Sequence, residues 1–202
     1  MLELETVARG GAPAPLRPDE RARVERGRAT VERLVASGDP VYGLTTGFGS
    51  LASVRIDPAD ARALQRNLVR SHAVGAGEPL PRDTVRGMLF LLSESLRRGH
   101  SGVRVELVEL LLALLTRDVV PVVPSRGSVG SSGDLAPLAH LALVLIGEGE
   151  AFVAGERMPA ADALRRTGLE PVELAEKEGL ALINGTHLMA ACGGLAAVEA
   201  RR

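Results

Sequence analysis

A short run of glycine, serine and aspartate near the middle of the chain has residue types suited to backbone chemistry. Residues 127–134 read Gly-Ser-Val-Gly-Ser-Ser-Gly-Asp, and an apolar helical pattern follows directly. The three glycines do not give the Gly-x-Gly-x-x-Gly spacing of a dinucleotide site, and the run lacks the Gly-Lys-Ser/Thr ending of a P-loop. Ser132 has a glycine two residues before it but Asp134 two residues after it, which meets half of the nucleophile-elbow pattern. A helix N-terminus capped by Ser132 or Asp134 explains the local sequence equally well.

Three further segments carry polar or titratable side chains in turns or at a helix end. Residues 41–49 contain Tyr42, the only tyrosine of the chain, among three glycines, and alone they favour a glycine-rich turn with a half-buried aromatic. His72 stands near the end of a predicted helix, where a histidine more often caps the helix than acts in catalysis. Asn184 precedes Gly185, a pair typical of turns.

Together with residues 98–104, these segments resemble the aromatic amino acid ammonia-lyases, and histidine ammonia-lyases above all. The resemblance runs from about residue 37 to residue 195, with the motifs in the family's order. In that family an internal Ala-Ser-Gly becomes a methylidene-imidazolone, an electrophile made from the chain itself, and the matching positions here are Ser131, Ser132 and Gly133. The glycine amide nitrogen attacks the carbonyl of the first residue, and the middle serine loses its hydroxyl as water. Because the first residue contributes only its carbonyl to the ring, Ser131 in place of alanine should be tolerated.

Residues 41–49 resemble the family's Tyr-Gly-x-x-Thr-Gly-Phe-Gly lid. The resemblance implies that Tyr42 is the base that removes the β-proton of the substrate. A phenol acts as a base only when nearby positive charge or hydrogen-bond donors lower its pKa from about 10 towards neutrality. The matching positions are Tyr42, Gly43, Thr46, Gly47, Phe48 and Gly49, whereas Thr45 stands where these lyases often have asparagine.

Two further motifs imply how substrate is held. Ser71 and His72 occupy the pair that selects substrate, and Ser-His at these positions is similar to histidine-specific members, which makes His72 a polar partner of an imidazole. Tyrosine- and phenylalanine-specific members place His-Leu or Phe-Leu there. Asn184 falls in a Lys-Glu-Gly-Leu-Ala-Leu-x-Asn-Gly-Thr match, and the resemblance implies that it bonds the prosthetic group and the substrate amine. The implied catalytic set is therefore Tyr42, His72 and Asn184.

The apolar periodicity predicts a mainly α fold with glycine-rich loops and little β structure. Residues 1–16 are interpreted as a surface lead-in, residues 119–124 as an extended run, and residues 154–157 as the centre of a small hairpin. Nine apolar positions of the helix at 103–117 surround its circumference, which predicts a central buried helix. Other helices are predicted at 18–36, 58–73, 82–98, 135–146 and 160–167.

Composition limits the class of partner. With 46% apolar residues and a net charge of −1, the chain is predicted to form one domain over residues 1–202, with a neutral small molecule or a protein as partner and no nucleic acid or membrane. The resemblance narrows that partner to a small amino acid. Cys192 is the lone cysteine and the start lacks a basic signal region, which favours a cytoplasmic location, and the apolar runs are read as too short to span a bilayer.

The resemblance implies deamination of L-histidine to urocanate and ammonia, with no metal and no external cofactor. Members of the family continue into a helical bundle that forms a homotetramer, so this chain is expected to be the N-terminal, electrophile-bearing part. Two alternatives stay open: an inactive packing module of such a lyase, and a tyrosine or phenylalanine ammonia-lyase or aminomutase. The Ser71-His72 pair speaks against the second.

Overall fold

Helices dominate the computed structural model, which describes residues 2–47, 56, 60–130 and 133–202, and the predicted mainly α fold is confirmed. The helices are α1 Leu2–Ala8, α2 Pro18–Ser37, α3 Ala61–His72, α4 Arg82–Leu96, α5 Val105–Thr116, α6 Leu135–Leu145, α7 Ala160–Arg166, α8 Glu178–Ile183 and α9 His187–Glu199. The strands are β1 Ala76–Pro79, β2 Val119–Pro121, β3 Pro124–Arg126, β4 Glu150–Val153 and β5 Glu156–Pro159.

Helix α5 lies in the core, as its apolar pattern predicts. Leu107, Leu111 and Leu114 are each 0% exposed, and α2, α4, α6 and β2 all contact this helix. Burying one such side chain stabilises a fold by roughly 1.5–3 kcal/mol. The apolar faces of α4 and α6 join the same core, so the loops at their ends are fixed to a rigid frame.

The interpretation of residues 1–16 as a surface lead-in is wrong for residues 2–8. These residues form α1, which buries Leu4, Val7 and Ala8 against α4. The buried guanidinium of Arg86 on α4 donates hydrogen bonds to the carbonyl oxygens of Val7 at 3.0 Å and Gly11 at 2.9 Å. A helix this short is not stable alone, so its tertiary contacts override the turn-forming residues that follow it.

Two small antiparallel sheets connect distant segments. Strand β1, which follows α3, pairs with β3, which leads into residues 127–134. Strands β2, β4 and β5 form the second sheet, and the predicted hairpin is confirmed, with Ala154 and Gly155 at φ 51° and 80° in its turn. The predicted extended run at 119–124 is instead divided between the two sheets, because each half finds a different partner strand.

Helix boundaries agree closely with the periodicity except at α3. That helix begins at Ala61 rather than 58 and ends at His72; residues 57–59 lie outside the described residues.

One stretch, Glu178–Glu199, is long and apolar enough by length and composition to cross a membrane, with 22 residues and a hydropathy of 1.4. In the structure this stretch is two helices, α8 and α9, interrupted at residues 184–186. Helix α8 packs on α3 and α6, and α9 packs on α4. The expectation of no long apolar run therefore missed this stretch, although interior helices of globular proteins can pass the same test.

Candidate active site

The loop at 127–134 is a closed turn between β3 and α6. The backbone N–H of Val129 donates to the carbonyl oxygen of Gly133 at 2.9 Å, so the two ends of the turn are joined. Gly133 has φ +80°, and a Cβ built on it would lie 2.9 Å from Ser128 Oγ. The positive φ therefore favours glycine at 133, and a Cβ there would also displace the Ser128 hydroxyl. Ser131 and Ser132 lie outside the described residues.

Asp134 joins this turn to helix α9. Its side chain is 0% exposed, and Oδ2 accepts a hydrogen bond from the backbone N–H of Met189 at 3.0 Å. Asp134 occupies the N-cap position of α6, as one interpretation of the sequence proposed, but its side chain makes no cap hydrogen bond to that helix. It serves the first turn of α9 instead, where a negative charge is favourable. Oδ1 is buried without a hydrogen-bond partner among the described residues.

A cleft of about 390 Å³ opens between the turn and α9. Burial raises the pKa of the Cys192 thiol on its wall, and the charge of Asp134 acts in the same direction. Gly133 lines this cleft, whereas Tyr42, Ser71, His72 and Asn184 are not in its lining. The lining consists of Leu80, Ser125, Ser128, Gly130, Gly133, Asp134, Leu188, Met189 and Cys192.

Tyr42 lies on a turn held by threonine hydroxyls. Thr45 Oγ1 accepts from the backbone N–H of Val41 at 2.8 Å and donates to the carbonyl oxygen of Asp39 at 2.6 Å. The departure from the family's asparagine at position 45 thus keeps a side chain that closes the turn. Tyr42 is 60% exposed, not the half-buried aromatic of the simplest interpretation. Phe48 and Gly49 of the same motif lie outside the described residues.

Ser71 and His72 form the C-terminal end of α3. His72 Nδ1 lies 2.9 Å from the carbonyl oxygen of Leu68, and Ser71 Oγ donates to the same oxygen at 2.9 Å. Nδ1 also lies 3.1 Å from Ser71 Oγ. Because a carbonyl oxygen only accepts, a hydrogen bond to Leu68 places the proton on Nδ1 of His72. In the neutral ring, Nε2 is then an acceptor.

Asn184 follows the last residue of α8, and a buried carboxylate at the other end of that helix anchors it. Glu178 is 0% exposed. Its Oε1 accepts from Arg104 N at 2.8 Å and Arg104 Nε at 3.0 Å, and its Oε2 accepts from Arg104 Nη2 and Ala175 N, both at 2.8 Å. Hydrogen bonding to Glu178 raises the pKa of Arg104 above its ordinary value. Helix α8 therefore holds exposed Asn184 at a fixed end.

Helix α8 also requires a glycine where it meets α3. A Cβ on Gly179 would lie 2.6 Å from the carbonyl oxygen of Gln65, a distance at which the backbone would have to move. The resemblance singled out Asn184 in this motif but gave no role to Glu178 or Gly179. Glu178 directly follows Glu176 and Lys177, so the local sequence carries no signal that this carboxylate is buried and paired.

The helical frame, the closed turn before α6 and the motif order together define a class of protein. This chain belongs to the aromatic amino acid lyase family, whose profile matches residues 1–202. It is 58% identical over 198 residues to histidine ammonia-lyase of Myxococcus xanthus, covering 98% of this chain and 39% of that protein. The resemblance seen in the motifs is therefore confirmed.

Solved structures show the same fold. The crystal structure of histidine ammonia-lyase from Trypanosoma cruzi aligns with a TM-score of 0.88 and 40% identity, covering 98% of this chain and 38% of that one. The phenylalanine aminomutase of Pantoea agglomerans aligns with a TM-score of 0.91 and 36% identity, covering 98% of this chain and 39% of that one. The chain thus spans less than half the length of these relatives.

Proposed function

We propose that the whole protein to which this chain contributes removes ammonia from L-histidine to give urocanate. The observation that carries the proposal is the turn closed by the hydrogen bond from Val129 N–H to the carbonyl oxygen of Gly133, whose amide nitrogen, needed for ring formation, has no Cβ beside it. The 58% identity to a histidine ammonia-lyase supports the same reaction.

The described part of the turn fits a methylidene-imidazolone built from Ser131, Ser132 and Gly133. The nitrogen of Gly133 would bond to the carbonyl carbon of Ser131 with loss of one water, and Ser132 would lose its β-hydroxyl with a proton as a second water. The absence of a Cβ at Gly133 leaves that nitrogen unhindered, and on the next residue Oδ1 of Asp134 is a buried acceptor without a hydrogen-bond partner among the described residues. When formed, the group supplies an electrophilic carbon that takes up the substrate amine.

Residues of this chain would supply recognition and proton transfer. His72 has Nδ1 engaged by Leu68, so its Nε2 can accept a hydrogen bond from the imidazole N–H of the substrate. Tyr42 as phenolate would take the β-proton of the substrate on its oxygen. Asn184 has an exposed amide that can bond the substrate amine.

Intact mass is the test of the ring. We expect the purified polypeptide to weigh two waters less than its sequence and to absorb in the near ultraviolet. Ser132→Ala should no longer show the two-water deficit, because no β-hydroxyl can leave as the second water. Ser125→Ala, in the same segment but outside the ring, should keep the deficit. An unmodified mass in the full-length protein would remove the electrophile from the proposal.

Substrate choice separates histidine from the alternative aromatic substrates. We expect urocanate formation from L-histidine, and we expect the pair Ser71→His and His72→Leu to shift activity towards tyrosine or phenylalanine. The 36% identity to a phenylalanine aminomutase is the reason for testing these substrates. If the exchanged pair leaves substrate choice unchanged, Ser71 and His72 do not select the substrate.

The alternative hypothesis, that the chain belongs to an inactive packing module of such a lyase, predicts a different result. In that case the assembled protein would form no urocanate even with the mass deficit present. The homotetramer, the single domain over residues 1–202 and the cytoplasmic location stay predictions.

A further inference from the structure

Helix α6 contacts the segment that follows α3 through a histidine. His140 Nε2 accepts a hydrogen bond from the backbone N–H of Gly75 at 3.0 Å. A Cβ on Gly75 would lie 3.0 Å from that nitrogen and 3.2 Å from Pro124 Cβ, so the ring and β3 enclose the Gly75 backbone. His140 and Gly75 are 65 residues apart in the sequence, so this hydrogen bond joins distant segments.

The loop that leads to residues 131–133 contacts the same glycine. A Cβ on Gly127 would lie 3.3 Å from the Cα of Gly75 and 3.3 Å from Ala136 Cβ. No side chain separates the two backbones at this point. The end of α3, the start of the loop and helix α6 therefore meet at Gly75.

The contact fixes the protonation state of His140. Because Nε2 accepts a hydrogen bond from a backbone N–H, the proton of the neutral ring is on Nδ1. Burial lowers the pKa of His140, with no charged side chain contributing among the described residues. The ionisable groups of the elements packed against α6 include Arg70 and His72 of α3, Glu106 of α5, Asp162 of α7, Glu178 of α8, His187 of α9 and Arg126 of β3.

We propose that His140 is a positioning residue whose neutral ring, by holding the Gly75 amide, fixes Ser71 and His72 relative to the loop at 127–133. Protonation would place an N–H of the ring against the N–H of Gly75 and break this contact. Acid would then release the end of α3 from the loop without touching either motif. The part concerning substrate rests on the proposed function.

The backbone contact is tested on the protein by amide hydrogen exchange of Gly75. In the native sequence we expect the Gly75 protection factor to be high at pH 8 and to fall as the pH is lowered through the pKa of His140, which burial holds below its ordinary 6.5. His140→Gln keeps an acceptor that does not titrate, so protection should persist over the same pH range. His140→Leu has no acceptor and should lack protection over the whole range. Equal protection of Gly75 in the native protein and in His140→Leu would overturn the proposal.

Kinetics on the full-length protein separate positioning from general stability. The loss of one hydrogen bond, about 1 kcal/mol, corresponds to roughly a fivefold change in a binding constant. We expect His140→Leu to raise KM for L-histidine by about that factor with kcat changed less than twofold, and His140→Gln to restore KM. Equal losses in both variants would overturn the positioning role. If Gly75 exchange behaves as expected but no urocanate forms, the proposed function fails while the backbone contact stands.

Discussion

Replacing Glu178 by glutamine is expected to destabilise the protein by about 3 kcal/mol. Each carboxylate oxygen accepts two hydrogen bonds, from Arg104 N and Nε at Oε1 and from Arg104 Nη2 and Ala175 N at Oε2. Whichever oxygen the amide nitrogen replaces, two donors then face another donor. One is a guanidinium nitrogen, worth about 1.5–3 kcal/mol, and the other is a backbone N–H, worth about 1 kcal/mol.

The partial exposure of Arg104 places the expected loss of stability at the lower end of the range for a broken buried ion pair. Breaking a buried pair costs about 3–5 kcal/mol when the remaining charge stays dry. The side chain of Arg104 is 35% exposed, so water can solvate part of the guanidinium once Glu178 is neutral. The loss also reaches the candidate active site, because Glu178 is the first residue of α8 and Asn184 follows its last residue. We expect the amide of Asn184 to exchange faster in the variant.

The measurement is urea unfolding monitored by circular dichroism, with Glu173→Gln as the matched control. Glu173 lies five residues earlier and pairs with Arg62, but the two side chains are 73% and 62% exposed. Such a surface pair contributes less than about 1 kcal/mol. If Glu178→Gln costs no more than Glu173→Gln, the buried carboxylate does not anchor α8 and the reasoning from its hydrogen bonds is refuted.

Three further outcomes are expected. Tyr42→Phe should lower kcat by roughly 10²- to 10⁴-fold in steady-state assays, as for loss of a general base, and an unchanged kcat would exclude that role. Gly179→Ala should destabilise the chain by about 1–3 kcal/mol in thermal unfolding, because its Cβ would lie 2.6 Å from a backbone carbonyl oxygen of α3. The control Gly193→Ala should stabilise α9, because a Cβ at Gly193 would have no described atom within 4 Å. Burial raises the pKa of Glu20, but hydrogen bonds from a backbone N–H and from Arg97 more than reverse this, so its pKa lies below the ordinary 4.5. The stabilisation from Glu20 is present above that value and is lost as the pH falls through the lowered pKa. Glu20→Gln should therefore flatten the acid side of the curve of unfolding free energy against pH. An unchanged acid side would contradict the assignment.

The fold was predictable where a pattern repeats within one element. Helices α2, α5 and α6 have apolar or charged spacing long enough to show a helical period, and each lies within a few residues of its predicted bounds. Helix α1 has seven residues and depends on Arg86 of α4 for part of its hydrogen bonding. No local pattern records a partner that far along the chain, and the segment was misread for that reason.

The candidate site was likewise only partly predictable from the sequence. Motif resemblance identified Tyr42, His72 and Asn184, since each stands in a short signature with fixed spacing. It did not indicate that Asp134 would bond to the N-terminal turn of α9, because that contact joins residues 55 apart. The cleft beside Gly133 lies between the turn and α9, the two elements that this contact joins.

Some glycines of this chain allow close contacts between elements, in addition to the turns that glycine predicts. A Cβ at Gly179 would lie 2.6 Å from a backbone oxygen, and a Cβ at Gly75 or Gly127 would lie in tight contact, 3.0 to 3.3 Å from neighbouring atoms. Contacts of this kind cannot repack as side chains do, because there is no rotamer to change. They tie α3 to the loop at 127–133 and to α8, which are the elements that carry His72, Gly133 and Asn184. The positions of these three residues relative to one another are thus set by backbone contact, and a methyl group at any of the three glycines should disturb the site while leaving its motifs intact.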